Sequence, residues 1–204
     1  MLILDFETRS RCNLLVKGSY AYANDPTTDI LCMAAWDQET ERKWLWYPDE
    51  DLPESLRYRL KEAEFVAAHN AEFDKGIYEQ VAVKRYGFPE IELSRWYCTS
   101  AQCRVNGLPA SLDHAAWALG LQQRKMAKGK HLIKLLSIPK PDGTFREDEN
   151  ALIEMGEYCM QDVITTAAVA AATRVMTAQE HQDWLKTVEM NNRGVMVDTY
   201  MAEL

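Results

Sequence analysis

The sequence opens with Leu2-Ile-Leu-Asp-Phe-Glu-Thr8, an apolar stretch that carries two acids at its end. The alternation predicts a β-strand over residues 1–6. Because side chains alternate along a strand, three apolar side chains would face one side, and Ile3, Asp5 and Glu7 would face the other. The two carboxylates would therefore share one face where the strand ends.

Two further apolar runs, at residues 30–36 and 42–47, flank a short polar segment and predict a hairpin. With the first strand they would form an antiparallel meander. Residues 10–29, which separate the first strand from this hairpin, show no regular pattern and end in the turn-like Asn24-Asp-Pro-Thr27.

Beyond residue 52 helices and strands alternate. The predicted helices cover residues 52–63, 73–86, 112–119, 130–136 and 147–176, and the predicted strands cover 64–69 and 91–97. Three antiparallel strands followed by βαβ units predict an α/β fold, a mixed five-stranded sheet with helices on both faces.

The chain divides by pattern into a domain over residues 1–178 and a smaller piece over 179–204. The smaller piece would contain a helix over 179–190, a turn at 191–194 and a short strand at 195–198. A length of 204 residues suits one domain with such an appendage.

Composition favours a reducing compartment, the cytoplasm. Apolar runs fall short of the roughly 20 residues of a membrane span, and the N-terminus lacks the basic segment of a signal peptide. The five cysteines form no C-x-x-C pair, which indicates free thiols in a reducing compartment. We therefore expect no association with a membrane.

A net charge of −8 is unusual for a protein that binds nucleic acid. Two observations reduce the objection. Bound divalent cations would invert the local field around an acidic cluster. Basic side chains are also concentrated in one stretch without acids, formed by Arg124, Lys125, Lys128, Lys130 and Lys134. A solvated helix face would explain the same stretch.

Two further motifs carry acids. Asn70-x-x-x-Asp74 lies where a predicted strand becomes a helix, a frequent place for site residues in open α/β sheets. Tyr158 and Asp162 lie four residues apart in helix 147–176, so their side chains share one helix face.

Each motif alone has an ordinary structural explanation. Acids are common at exposed strand ends, and an acid at a helix entry is stabilised by the helix dipole. A surface pair on an acidic helix would also explain Tyr158 and Asp162. However, residues 163–172 are almost wholly apolar, and a carboxylate in such surroundings is costly unless it is paired or metal-bound. Together the motifs predict one site, formed by Asp5, Glu7, Asp74, Tyr158 and Asp162.

Carboxylates in this number suit phosphodiester hydrolysis. Two metal ions about 3.5–4 Å apart can activate water and stabilise the leaving oxygen. Mg²⁺ and Mn²⁺ are hard cations that prefer oxygen ligands. The sequence therefore predicts a phosphodiesterase that uses two divalent metal ions, Mg²⁺ or Mn²⁺.

At these motifs the chain resembles the DEDD superfamily of 3′–5′ exonucleases, in its tyrosine-containing branch, over residues 1–176. The family's D-x-E motif falls on Asp5 and Glu7, and its Y-x-x-x-D motif falls on Tyr158 and Asp162. Its N-x-x-x-(F/Y)-D motif is represented by His69-Asn-Ala-Glu-Phe-Asp74. The resemblance implies a ribonuclease-H-like fold.

The resemblance also implies a role for each side chain. Asp5 would bridge both metals, and Glu7 and Asp162 would complete the site of the water-activating metal. Asp74 would hold the second metal, largely through water, and Tyr158 would orient the attacking water. Contacts with the 3′-terminal nucleotide are implied for Phe6, Thr8, Asn70 and Phe73.

Other segments resemble the proofreading domain of phage-type family A DNA polymerases. They are Gly18-Ser-Tyr-Ala-Tyr22, Leu108-Pro-Ala-Ser-Leu112, Gly129-Lys130 and a tail over 189–198 that resembles the link to a polymerase module. The implied partners are the 3′ end of single-stranded DNA and a polymerase module in cis or in trans. Cys98-Thr99 departs from the family, where an acid is expected before the threonine.

Two alternatives remain open at this stage. The same motifs are compatible with an exoribonuclease that trims RNA. The chain could also be a weakly active nucleic-acid-binding or assembly module of a larger DNA polymerase. For that alternative, Val188, Val195 and Val197 would be poorly covered in an isolated domain and available to a partner.

Overall fold

A computed structural model of the chain describes residues 1–122 and 129–202. Its strands are β1 (Leu2–Arg9), β2 (Asp29–Asp37), β3 (Lys43–Trp46), β4 (Val66–Ala68) and β5 (Trp96–Cys98). They form one sheet in the order β3-β2-β1-β4-β5. β2 pairs antiparallel with β1 and β3, whereas β4 pairs parallel with β1 and β5. The predicted α/β fold class, a mixed sheet with its first three strands antiparallel, is confirmed.

Ten α-helices occur in the described residues, and several of them pack on this sheet. They are α1 (Leu14–Asn24), α2 (Glu54–Glu62), α3 (Ala71–Ile77), α4 (Lys84–Tyr86), α5 (Thr99–Val105), α6 (Leu112–Ala118), α7 (Gly129–Leu132), α8 (Glu149–Ala171), α9 (Ala178–Arg193) and α10 (Thr199–Ala202). A π-helical turn over Tyr78–Val83 joins α3 to α4, and another over Ile133–Ser137 extends α7. A 3-10 turn over Leu93–Arg95 precedes β5.

The central strand β1 is buried on both faces, as its alternation predicts. Leu2 and Leu4 belong to the core on one face, together with Leu56 of α2 and Ile77 of α3. Ile3 belongs to the core on the other face, which α8 covers. The alternation of β1 therefore directs Asp5 and Glu7 towards α8.

Residues 10–29, expected to be irregular, contain helix α1, so that prediction is wrong. The side chain of Asn13 caps the helix by accepting hydrogen bonds from the backbone N–H groups of Leu15 and Val16, at 3.0 and 3.3 Å. Gly18 interrupts the helix with φ 79° and ψ 168°, a conformation that favours glycine. The break explains why the sequence shows no continuous helical period.

The strand expected at residues 195–198 is also absent, because these residues have no regular structure and are followed by α10. Val195, Met196 and Val197 are exposed, so no neighbouring strand pairs with them in the described part of the chain. The expectation that Val195 and Val197 would be poorly covered is confirmed. The same expectation for Val188 is wrong, because that side chain is buried.

Helix α9 packs against the end of the sheet. Its buried residues are His181, Leu185 and Val188. Nε2 of His181 lies 2.8 Å from the backbone oxygen of Trp96 in β5. Since a carbonyl oxygen only accepts, Nε2 carries the proton. The division of the chain at residue 178 stays a prediction.

Part of the basic stretch can be placed. Lys130 and Lys134 are exposed on the segment formed by α7 and its π-helical turn. Arg124, Lys125 and Lys128 lie outside the described residues. The five cysteines are free thiols, as predicted. None of the helices in the described ranges has both the length and the apolar character needed to cross a bilayer.

The contact between α8 and β3 requires a residue without a side chain. A Cβ added at Gly156 would lie 2.2 Å from the hydroxyl oxygen of Tyr47 and 2.9 Å from Cδ2 of Leu45. Burial raises the pKa of Tyr47 to about 12, so this hydroxyl is neutral at ordinary pH. Gly156 therefore sets how closely α8 approaches the edge of the sheet.

We predict that Gly156→Ala destabilises the protein by about 1–3 kcal/mol, the usual cost of overpacking a well-packed contact. Tyr47→Phe should recover part of this loss, because it removes the oxygen that the new Cβ would meet first. Thermal unfolding of the two single variants and the double variant measures the recovery. If Gly156→Ala costs as much in the Tyr47→Phe background as in the wild type, the assigned contact is contradicted.

Candidate metal centre

Three carboxylates from two elements converge beside the sheet. Asp5 and Glu7 come from the end of β1, and Asp162 comes from α8. One oxygen from each lies within 4.8 Å of the others. Asp162 is buried, whereas Asp5 and Glu7 are half-buried. β1 supplies two acids on one face, and α8 crosses that face with the third.

This grouping is electrostatically demanding. Two like unit charges about 4 Å apart repel by about 4 kcal/mol at an effective dielectric constant of about 20. A divalent cation between the carboxylates would replace the repulsion with attraction. Because each group offers oxygen only, the donor set fits a hard cation such as Mg²⁺ or Mn²⁺. The three residues can therefore hold a metal ion.

Asp74 lies beside these acids without belonging to the group of three. It is buried in α3, and its Oδ1 accepts a hydrogen bond of 3.2 Å from the backbone N–H of Phe6. β4 pairs with β1 only at Leu2 and Ile3, so Phe6 lies beyond the end of that pairing. Asp74 thus contacts the backbone between the two acids of β1.

Cys159 contacts the same strand from α8, a residue to which the sequence motifs assigned no part. Its thiol lies 3.3 Å from the backbone oxygen of Asp5 and 3.5 Å from Oδ2 of Asp5. Burial raises the pKa of the Cys159 thiol, so the group stays protonated and donates to Asp5. Its spacing of three from Asp162 places both on the helix face turned towards β1, which is the signal that the sequence offered.

The acids form part of the wall of a cleft of about 630 Å³. Most of the other lining residues are apolar or small. The lining comprises Asp5, Phe6, Glu7, Thr8, Ser10, Arg11, Cys12, Asn13, Leu14, Leu15, Tyr22, Phe73, Ile133, Ser137, Ile138, Pro139, Tyr158 and Asp162. Tyr158, one helical turn before Asp162, therefore opens onto the same space as the carboxylates.

Of the residues expected to contact a terminal nucleotide, Phe6, Thr8 and Phe73 line the cleft. Asn70 does not line it. It is exposed at the entry to α3, where its backbone adopts a left-handed conformation with φ 72° and ψ 48°. Asn70 therefore shapes the turn from β4 into α3.

Helix α1 contributes a wall that the sequence did not predict. Tyr22 joins two expected residues: its hydroxyl lies 2.9 Å from Oγ1 of Thr8, and its ring centroid lies 5.9 Å from that of Phe73. Leu14 and Leu15 line the cleft from the start of the same helix. These positions were missed because residues 10–29 were expected to be irregular.

Two arginines at the end of β1 bind the loop on the opposite side of the cleft. Nε of Arg11 donates to the backbone oxygen of Gly143 at 2.8 Å. Arg9 forms an ion pair of 2.9 Å with Glu147 and lies over the ring of Phe145. These contacts hold the loop that follows Pro139 next to the strand that carries the acids.

No protein-family model matches the chain. A curated relative is a DNA polymerase of Bacillus phage SP02. The two sequences are 30% identical over 217 aligned positions, which cover 99% of this chain and 32% of the polymerase. The chain thus spans about one third of the length of this relative. The similarity covers nearly all of this chain.

We predict that Mg²⁺ or Mn²⁺ raises the melting temperature. A ligand at about 100 times its Kd stabilises a protein by about 2.7 kcal/mol, which corresponds to about 5–10 °C for a chain of this size. Glu7→Gln with Asp162→Asn should abolish the shift, because both changes remove charge and keep volume. Differential scanning calorimetry with and without EDTA measures the change in melting temperature.

Glu157→Gln is the matched control for this measurement. Glu157 is an exposed acid on α8, next to Tyr158 but outside the group of three carboxylates. Its variant should keep the full shift. A shift that is equal in all variants would show that the metal binds elsewhere.

Proposed function

We propose that the chain is a metal-dependent 3′–5′ exonuclease. It would hydrolyse phosphodiester bonds at the 3′ end of single-stranded DNA and release nucleoside monophosphates. The observation that carries the proposal is the convergence of Asp5, Glu7 and Asp162 within 4.8 Å on the wall of a cleft that Tyr158 also lines.

The carboxylates would hold two divalent metal ions, Mg²⁺ or Mn²⁺. Asp5, Glu7 and Asp162 supply the ligands of the convergent group, and buried Asp74 supplies a further carboxylate beside β1. Bound metal ions activate water and stabilise negative charge on the reacting phosphate. Cys159 donates to Asp5 and so limits the directions in which that carboxylate can turn.

Tyr158 would orient the attacking water through its hydroxyl. Its ring is buried, so the direction of the hydroxyl is restricted by packing. Phe6, Thr8 and Phe73, which also line the cleft, would contact the terminal nucleotide. Asn70 does not line the cleft, and its contact with the terminal nucleotide stays a prediction.

The lining supports a single strand as substrate. The lining includes apolar side chains, among them Leu14, Leu15, Ile138 and Pro139. Unpaired bases expose apolar faces that pack on such a wall, whereas the bases of a duplex remain stacked on one another. The net charge of −8 makes DNA binding dependent on metal, because the acids repel phosphates until cations bind.

The similarity to a phage DNA polymerase supports proofreading during DNA replication as the setting. This chain matches 32% of that polymerase, so a polymerase module would act with it, in cis or in trans. The exposed residues Val195, Met196 and Val197 support an alternative, an assembly module of a polymerase with little nuclease activity of its own.

The test is digestion of a 5′-labelled single-stranded DNA oligonucleotide with Mg²⁺ or Mn²⁺. We expect a ladder that shortens from the 3′ end and stops with EDTA. Asp5→Ala with Asp162→Ala should reduce the rate by about 1000-fold or more, because metal ions supply several kcal/mol of transition-state stabilisation. Undiminished digestion by this double variant would place the activity elsewhere or in a contaminant.

Three comparisons separate the alternatives. Glu157→Gln should digest DNA at the wild-type rate. A matched RNA oligonucleotide degraded faster than DNA would indicate an exoribonuclease. Metal binding without digestion of either substrate, together with co-purification of a polymerase, would favour the assembly module.

A further inference from the structure

We propose that Gly129 is a positioning residue for Tyr158: the missing side chain of Gly129 forms the space in which the tyrosine ring lies. This inference rests on the proposed function, in which Tyr158 orients the attacking water. It adds a residue from α7 to a site otherwise built from β1, α3 and α8.

The distances leave no room at position 129 for a residue that has a side chain. A Cβ added at Gly129 would lie 2.3 Å from Cε2, 2.6 Å from Cζ and 2.9 Å from Cδ2 of Tyr158. Real Cβ atoms do not approach other heavy atoms so closely. All three atoms belong to one edge of the ring, so the backbone of α7 lies directly against that edge.

Backbone conformation does not explain the glycine. Gly129 is absent from the glycines with positive φ, a group formed by Gly18, Gly87, Gly107, Gly120, Gly143 and Gly194. Gly129 lies in α7, and glycine has no conformational advantage over alanine in a helix, where it costs roughly 0.5–1 kcal/mol. The contact with Tyr158 is therefore the requirement that glycine meets here.

The segment that carries Gly129 is anchored by further contacts after Gly129. Leu132 and Leu136 are buried in the same core cluster as Tyr158. The backbone N–H of Ser10, just past β1, donates to the backbone oxygen of Ser137 at 3.5 Å. A side chain at position 129 would conflict with the ring of Tyr158 and would displace it.

The hydroxyl is the part of Tyr158 that such a displacement moves furthest, because it lies at the far end of the ring from the backbone. A misplacement of about 1 Å in a reacting geometry can reduce a rate by about 100-fold. Gly129 thus acts on the proposed reaction through the position of one oxygen and does not itself touch the substrate.

The experiment compares the wild type, Gly129→Ala, Tyr158→Phe and the double variant in metal-dependent digestion of single-stranded DNA. We expect each single change to reduce kcat by about 10- to 100-fold. The double variant should be no slower than Tyr158→Phe alone. Phenylalanine keeps the three carbons that the new Cβ would meet, but it has no hydroxyl to misplace.

Two outcomes of this comparison would overturn the inference. One is a wild-type rate for Gly129→Ala. The other is a loss from Gly129→Ala that is equally large in the Tyr158→Phe background, because a merely structural defect would reduce both backgrounds by the same factor.

The metal-induced rise in melting temperature should persist in Gly129→Ala, since the carboxylates are unchanged. Its loss would also count against the inference.

A second measurement works without nuclease activity and so separates this inference from the proposed function. In protein labelled with 3-fluorotyrosine, Tyr158→Phe identifies the fluorine resonance of Tyr158. Gly129→Ala should shift that resonance. In the control Gly156→Ala, where the new side chain would contact Tyr47, the resonance of Tyr47 should shift more than that of Tyr158. An unmoved Tyr158 resonance would refute the contact, even if the wild type digests no DNA.

A second substitution tests whether any loss of stability in Gly129→Ala comes from its contact with Tyr158. If Gly129→Ala lowers the melting temperature severely, Tyr158→Ala should remove that penalty, because the ring atoms in conflict are gone. A penalty that is unchanged in the Tyr158→Ala background would show that the ring does not require the glycine.

Discussion

The pairing of β1 on both sides, in the middle of the sheet, is the constraint on which the rest of the structure depends. β2 pairs along its whole length, but β4 pairs only with Leu2 and Ile3. The first half of the strand is therefore paired on both sides, whereas the backbone of its second half is unpaired on the side of β4. The acids lie in that second half, where α3 brings Asp74 to the free backbone and α8 brings Asp162.

The candidate site combines charge with an apolar scaffold. Asp162 is buried in a helix whose other inward residues belong to the core, so its charge must be compensated locally. Cys159 gives a weak hydrogen bond to Asp5, which offsets little of the repulsion among three acids. A group of acids of this kind could hold a metal ion, and a bound cation would offset the repulsion among the carboxylates.

The sheet and the acids could be predicted from the sequence because both follow simple periods. Alternation in β1 separated Asp5 from the core side, and the spacing of four placed Tyr158 and Asp162 on one helix face. Helix α1 could not be predicted, because Gly18 breaks it and Leu15 and Val16 are exposed, which leaves no apolar period. The tail was wrongly predicted as a strand, because its valines have β propensity but no strand within the described residues pairs with them. The contact between Gly129 and the ring of Tyr158 could not be predicted, because it depends on how α7 packs against α8.

The contact between His181 and Trp96 has a consequence for association between molecules. β5 is an edge strand, and unpaired backbone groups at a sheet edge can template pairing with another chain. His181 occupies one carbonyl of that strand, and the hydroxyl of Tyr97 accepts the backbone N–H of Met176 just before α9 begins. Helix α9 thus covers part of an edge strand at which another chain could pair. A protein shortened before α9 would keep every acid of the candidate site and lose this protection.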